Sequence, residues 1–188
     1  MQTLKKKVYS FLINQGVNPE LDIFNYGFNV SIKYFIFLII ALPLSLVFHC
    51  FKETIIFLIT FISLRQYLGG FHFNNSNMCM FFSIIITLLI PLLSNNIEYI
   101  NIWFRSLIFA FCIFAATCFG PIDHKKKRLT ETEKKIFGKK AVALLFLYYL
   151  LTTLFYFINL QSISHIIILT IVFMTINLGI GNLTKNTK

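Results

Sequence analysis

One short polar segment, RQYLGGFHFNNSNMC from Arg65 to Cys79, carries most of the residues that could do chemistry. It contains His72 and Cys79, in a chain that has only four histidines and four cysteines. A cysteine is a strong nucleophile only as the thiolate, and a neighbouring histidine can accept its proton. The pair therefore indicates a thiol nucleophile with a general base.

The chain must bend between the histidine and the cysteine for this chemistry to work. His72 and Cys79 are seven residues apart, and one continuous helix would separate them by about 10.5 Å along its axis. Proton transfer needs a distance of about 3 Å or one bridging water. Gly69 and Gly70 can end the preceding helix in a left-handed or otherwise unusual conformation, so that the chain folds back.

The polar run NNSN at 74–77 supplies candidate N-caps for the helix that follows. If Asn75 or Ser76 is the cap, Cys79 lies in the first turn, where backbone N–H groups and the helix dipole favour an anion such as a thiolate. The simpler alternative is a polar turn between two helices, with an incidental histidine and cysteine. Spacing alone leaves both alternatives open.

The composition of the chain is that of a membrane protein. Of its 188 residues, 57% are hydrophobic and only 13% are charged, which is too few for the surface of a soluble domain. We therefore expect an all-α, polytopic membrane protein with a single membrane-embedded domain over 1–188. The net charge of +10 lies at the edges of apolar runs, so we expect no nucleic-acid partner. The cysteines form no CxxC pair, and we expect neither a metal site nor a cofactor.

About six membrane-spanning helices are expected, because a span needs about 20 mostly apolar residues. The apolar runs that qualify are Tyr34–Cys50, Thr54–Tyr67, Met78–Leu93, Ile102–Gly120, Ala141–Asn159 and Ile163–Leu183. The second run is short and could be tilted or re-entrant. Four spans with re-entrant segments are therefore the alternative.

The basic residues predict the orientation of these spans. With six spans, one side of the membrane holds the amino-terminal lysines, Arg65, the basic loop at 121–140 and the carboxyl-terminal lysines. The connections on the opposite side contain a single Lys or Arg residue, Lys52. Cytoplasmic loops retain Lys and Arg, so both termini and the polar segment are expected in the cytoplasm. On the same face we expect an amphipathic interfacial helix within 1–27, with its apolar side formed by Leu4, Val8, Phe11 and Leu12.

Two arginines lie close to predicted span ends. Arg65 could extend to lipid phosphates, bind carboxylates of an acidic substrate, or steady the Gly69–Gly70 turn. Arg105 begins the fourth span, and an arginine at the bilayer centre costs about 2.5–3.5 kcal/mol. We therefore expect Arg105 at the outer membrane interface.

The pattern LRQYLGGFHFNNSNMC, followed by several spans and a basic loop that begins Pro-Ile-Asp, resembles the accessory gene regulator protein B (AgrB) family. The specific part is Arg-x-x-x-Gly-Gly-x-His with a cysteine seven residues after the histidine. Members of that family are membrane cysteine endopeptidases of Gram-positive bacteria. They cut the carboxyl-terminal tail from a short quorum-sensing propeptide and help to close the remaining peptide into a thiolactone or lactone ring.

The resemblance implies a role for each residue of the segment. It makes Cys79 the nucleophile and His72 the general base, and it marks Arg65, Gly69 and Gly70 as needed for the site. What orients His72 stays open: a catalytic dyad suffices in one alternative, and in the other the candidates are Gln66, Asn74, Asn75, Asn77, Asp22 and Asp123. The implied location is a bacterial cell membrane, the implied partners are the propeptide and membrane lipids, and a homodimer is compatible with the resemblance.

Two other classes of function compete with an endopeptidase. A small membrane carrier or export protein would use the segment only as a polar turn, but a transporter should place ionisable residues well inside several spans. A non-catalytic membrane scaffold would bind acidic partners through the basic loop, and it would tolerate loss of Cys79.

Overall fold

The computed structural model describes residues 2–17, 20–71, 75–97, 100–122 and 130–186. Within these ranges all regular structure is helical, which confirms the all-α prediction. The helices are α1 (Gln2–Asn14), α2 (Leu21–Val47), α3 (Phe51–Leu68), α4 (Ser76–Asn95), α5 (Ile102–Phe119), α6 (Glu131–Phe157) and α7 (Gln161–Asn186). The chain divides into two compact units, Met1–Pro43 and Leu44–Lys188.

The first unit consists of α1 and most of α2. The first helix ends because Gly16 adopts a φ of 78°, and the Val17 N–H then donates to the Leu12 carbonyl at 3.1 Å. This hydrogen bond is typical of a glycine-terminated helix. The rings of Tyr9 and Phe24 pack 5.0 Å apart between the two helices. A helix in the amphipathic segment is thus confirmed, and its position on the membrane surface stays a prediction.

Five of the described helices are long and apolar enough to cross a bilayer, namely α2, α4, α5, α6 and α7. Many large apolar side chains on these helices are exposed, among them Phe111, Phe114 and Leu154. Contiguous apolar surface of this kind needs a lipid or protein covering. The protein is therefore a polytopic membrane protein.

Helix α3, the second predicted span, differs from these five in composition. Its 18 residues include Lys52 and Glu53 in the first turn and Arg65 in the last. It is a continuous helix of about 27 Å, close to the bilayer core of about 30 Å. It packs against α4, α6 and α7. Its crossing of the membrane stays a prediction.

Helix α7 lies at the centre of the second unit. It packs against each of α3, α4, α5 and α6, and half of its apolar span is buried, compared with 22% for α4 and for α6. Its buried side chains include Ile166, Ile168, Ile171, Met174 and Leu178. The central position of α7 lets it contact residues from both ends of the other helices.

The basic segment at 121–140 is not a loop throughout, because α6 already begins at Glu131. Thr130 caps the helix: the Glu133 N–H donates to the Thr130 hydroxyl at 3.3 Å, and the Thr130 N–H donates to the Glu133 carboxylate at 2.8 Å. This reciprocal pair is a capping box. The predicted loop is therefore helical from Glu131 to its end.

Arg105 is buried inside the protein, with only 2% of its surface accessible, and its depth at the outer membrane interface stays a prediction. Its Nε donates to the Ile100 carbonyl at 3.0 Å, and its Nη1 donates to the Thr152 carbonyl at 3.4 Å and to the Ser164 hydroxyl. The guanidinium also lies 4.6 Å from the centroid of the Tyr156 ring. These contacts join α5, α6 and α7 at the end of the unit opposite the Gly69–Gly70 turn.

This network predicts that Arg105→Met lowers the free energy of unfolding by about 1–3 kcal/mol, because buried carbonyls lose their donor. Arg105→Lys should recover only part of the loss, since an ammonium lacks the planar fork of donors. Thermal unfolding in detergent measures both. Lys52→Met, which removes an exposed cation, is the control. Equal melting temperatures for Arg105→Met and the control would contradict the role of the network.

Candidate active site

Helix α3 ends at a turn that only glycine fits. Gly69 has φ 71° and ψ −138°, and Gly70 has φ 139°, a region of backbone conformation that L side chains rarely adopt. A Cβ on Gly69 would also lie 2.7 Å from the carbonyl oxygen of Ile122. The Gly69 N–H donates to the Arg65 carbonyl at 2.9 Å and completes the last turn of α3. The predicted helix end at the two glycines is confirmed.

The turn is held by side chains from two helices. The Phe71 N–H donates to Oδ1 of Asn177 in α7 at 2.9 Å. Arg65 in α3 donates from Nη2 to the Phe71 carbonyl at 3.2 Å, and its guanidinium lies 5.3 Å from the centroid of the Phe61 ring. Both backbone polar groups of Phe71 are therefore bound by side chains. Arg65 thus contacts the turn itself, which is one of the three roles that its sequence position suggested.

Cys79 lies in the first turn of α4. Asn75 is the N-cap of this helix, and its side-chain oxygen accepts a hydrogen bond from the Asn77 N–H at 2.9 Å. The Cys79 N–H donates to the Asn75 carbonyl at 3.1 Å, and the Cys79 carbonyl accepts from the Ser83 hydroxyl at 2.8 Å. The predicted cap at Asn75 is confirmed. The half-buried thiol of Cys79 is thus fixed at a helix amino terminus, where negative charge is favoured.

Cys79 and the two side chains that hold the turn line one narrow pocket. Its walls come from α3, α4, α7 and the turn, and its lining residues are Phe57, Phe61, Arg65, Phe71, Cys79, Phe82, Ser83, Ile86, Thr87, Phe173 and Asn177. The open space of about 50 Å³ is enough for about two water molecules. The walls are mostly aromatic and aliphatic, and the polar lining residues are Arg65, Cys79, Ser83, Thr87 and Asn177.

Several residues singled out in the sequence do not lie in this pocket. Gln66 is exposed on α3, and Asn77 is exposed on α4. Asn75 is engaged in capping α4. Residues 72–74 and 123–129 lie outside the described residues, so the positions of His72, Asn74 and Asp123 stay predictions. Residues 72–74 lie between Phe71, which follows the glycine turn, and Asn75, the N-cap of α4.

Sequence reasoning missed two residues of α7, Asn177 and Gly181. Gly181 is buried, and a Cβ there would lie 2.9 Å from the Phe71 nitrogen and 3.1 Å from the Gly70 carbonyl carbon. The sequence does contain a signal for Asn177, because an uncharged but strongly polar side chain inside an apolar span is unusual and needs a partner. The four-residue spacing places Asn177 and Gly181 on the same face of α7.

A metal site finds no support in the described ranges. Among those residues no group of three or more histidine, cysteine, aspartate and glutamate side chains could hold an ion. Cys50, Cys79, Cys112 and Cys118 are all free thiols. The chemistry available around the pocket is therefore that of a thiol, a guanidinium, an amide and hydroxyl groups.

The chain is similar to proteins of one family over most of its length. Residues 5–178 match the family described as Accessory gene regulator B. AgrB-like protein 2 of Clostridium perfringens (strain 13 / Type A) is 33% identical over 181 residues, covering 87% of this chain and 85% of that protein. The AgrB-like protein of Clostridium perfringens (strain SM101 / Type A) is 33% identical over 153 residues, covering 74% and 72%. No solved structure shows significant similarity to the chain.

The geometry of the turn predicts that Gly69→Ala strongly destabilises the second unit. The added methyl meets the Ile122 carbonyl, and the backbone conformation alone costs about 1–3 kcal/mol for a residue with a side chain. Gly138→Ala in α6 is the matched control, because its methyl makes only an ordinary contact with Pro121 at 3.9 Å and alanine favours a helix. Thermal unfolding compares the two. A melting temperature that Gly69→Ala leaves unchanged would contradict the requirement for glycine.

Proposed function

This chain belongs to the accessory gene regulator B (AgrB) family, and from that premise we propose that it is a membrane cysteine endopeptidase acting on a short autoinducer propeptide. The observation that carries the proposal is the position of Cys79. The only cysteine in the polar segment lies at a helix amino terminus and lines a pocket with Arg65 and Asn177. The other three cysteines lie outside that pocket.

Cys79 is the proposed nucleophile and His72 the proposed base. The Cys79 thiol gives its proton to His72, and the sulfur attacks the carbonyl carbon of the scissile peptide bond. The tetrahedral intermediate collapses, the C–N bond breaks, and His72 returns the proton to the leaving amine. The carboxyl-terminal tail departs, and the remaining peptide is held as a thioester on Cys79.

Ring closure follows if a thiol or hydroxyl of the substrate attacks the thioester in place of water. The new thiolactone or lactone bond replaces the Cys79 thioester, and the proton of the attacking group returns to the Cys79 sulfur through His72. A thiol acceptor exchanges one thioester for another, so little bond energy is lost. The aromatic and aliphatic walls of the pocket support this outcome, because a site that excludes water limits hydrolysis of the intermediate.

Arg65 has a supporting part in this proposal. It is half-buried and donates to the Phe71 carbonyl, which favours steadying of the turn over binding of lipid phosphate. Gly69 and Gly70 give the turn its shape. Asn75 acts through its cap on α4, which holds Cys79 at the start of the helix.

We propose that the site faces the cytoplasm of a Gram-positive bacterium. The amino end of α6 lies beside the carboxyl end of α3, where the rings of Tyr67 and Phe137 are 6.0 Å apart and Lys140 Nζ is 5.8 Å from the Tyr67 ring centroid. This end of the second unit also carries Lys134, Lys135 and Lys139, whereas the opposite end carries Lys52 and the buried Arg105. Basic residues concentrate on the cytoplasmic side. The propeptide and membrane lipids are the proposed partners, and a homodimer stays a prediction.

The proposal predicts that Cys79→Ala and His72→Ala each abolish propeptide cleavage. The wild-type chain and both variants are co-expressed with a candidate propeptide from the same genome, and the peptide products are identified by mass spectrometry. A shortened or cyclised peptide should form only with the wild-type chain, because both steps need the thiol and its base.

Cys118→Ala is the matched control, since Cys118 is an exposed cysteine outside the pocket and its loss should leave cleavage unchanged. Cleavage that persists in Cys79→Ala would overturn the nucleophile and favour the carrier alternative. A propeptide that the wild-type chain leaves intact, together with transport of an added peptide, would favour it as well.

A further inference from the structure

Helix α7 contacts the chain immediately before His72. Asn177 of α7 accepts a hydrogen bond from the Phe71 N–H at 2.9 Å, across 106 residues of sequence. Phe71 is the residue that precedes the proposed base. No feature of the polar segment itself indicates that α7 takes part in the site.

The two hydrogen bonds of Phe71 fix two successive peptide planes. A peptide unit is planar, so the N–H of Phe71 moves with the carbonyl of Gly70, and the carbonyl of Phe71 moves with the N–H of His72. Asn177 binds the first plane and Arg65 binds the second. Together they hold the backbone of Phe71, the residue that directly precedes His72.

Gly181 makes this contact sterically feasible. It lies one helical turn after Asn177 and approaches the turn so closely that a Cβ would meet the Phe71 nitrogen at 2.9 Å. Real Cβ contacts are essentially never that short. Gly179, two residues earlier on the same helix, has no atom within 4 Å of a Cβ. The need for glycine in α7 is therefore confined to the face that touches the turn.

We propose that Asn177 and Gly181 are positioning residues for His72, and that α7 sets the location of the base through the Phe71 backbone. The inference rests on the proposed function, because it takes His72 as the base of a Cys79 nucleophile. Asn177 supplies the hydrogen-bond acceptor, and Gly181 supplies the space for the turn to reach it. Neither residue takes part in the covalent steps.

Two pairs of variants separate positioning from general packing. Asn177→Leu removes the acceptor at similar volume, whereas Asn177→Asp keeps an acceptor oxygen and places it in the pocket that Arg65 lines. Gly181→Ala pushes the turn away. Gly179→Ala makes the same chemical change at a position where no atom lies within 4 Å of the added methyl. We expect Asn177→Leu and Gly181→Ala to slow single-turnover cleavage of the propeptide about 100-fold, as a misplacement of about 1 Å does. Gly179→Ala should stay within a few-fold of the wild type, and Asn177→Asp, which restores an acceptor oxygen, should recover part of the rate that Asn177→Leu loses.

A second measurement needs no propeptide. The rate of Cys79 alkylation by iodoacetamide at neutral pH is followed by peptide mapping in the full chain, with and without His72→Ala. A residue that acts through His72 loses its effect once His72 is gone, because coupled residues are not additive. Asn177→Leu should therefore slow alkylation in the wild-type background and leave it unchanged in the His72→Ala background. Thermal unfolding of each variant reports on folding separately.

The outcomes are distinct. The positioning role would be overturned if Asn177→Leu slowed alkylation of Cys79 equally in both backgrounds. It would also be overturned if Gly181→Ala and Gly179→Ala cleaved the propeptide at equal rates. Neither outcome would contradict the proposed endopeptidase activity. An alkylation rate that His72→Ala itself leaves unchanged would overturn the positioning role too, because there would be no base to position. Cleavage that persists in Cys79→Ala would overturn the proposed function, and the alkylation experiment would still decide whether α7 acts on the thiol through His72.

Discussion

The close approach between the Gly69–Phe71 turn and α7 is the contact on which the rest of the site depends. The turn is half-buried, and backbone N–H and carbonyl groups that are removed from water need other partners. The turn obtains its partners from Asn177 and Arg65, and it can do so only because Gly181 presents no side chain. The absence of a side chain at Gly181 thus lets α7 approach the turn closely enough to bind it.

The proposed nucleophile and the proposed base follow two different kinds of local structure. Cys79 belongs to a helix whose own cap at Asn75 fixes its start. His72 follows a turn whose geometry comes from other helices. A reaction of this kind needs a proton to move between two groups that approach closely. Because α3 ends at Leu68 and α4 begins at Ser76, the segment is not the single continuous helix that would keep the two residues apart.

Local patterns predicted what local interactions determine. The glycine pair, the cap at Asn75 and the apolar spans each follow from a few adjacent residues, and the structure contains all three. The partners of Phe71 could not be predicted in the same way, because Asn177 is 106 residues away. The burial of Arg105 depends on acceptors from α6 and α7 that its own segment does not reveal. The Thr130-to-Glu133 spacing is that of a capping box and indicates the start of α6, although this segment was expected to be a loop.

Polar contacts anchor α7 near both of its ends: Ser164 binds the guanidinium of Arg105, and Asn177 binds the turn. Helix α4 has no such double anchorage among the described residues, and it packs mainly against α3 and α7. Within the second unit, α4, which carries the Cys79 thiol, is therefore held mainly by side-chain packing. Because the pocket of about 50 Å³ is too small for a peptide, the proposed endopeptidase activity requires the pocket to widen.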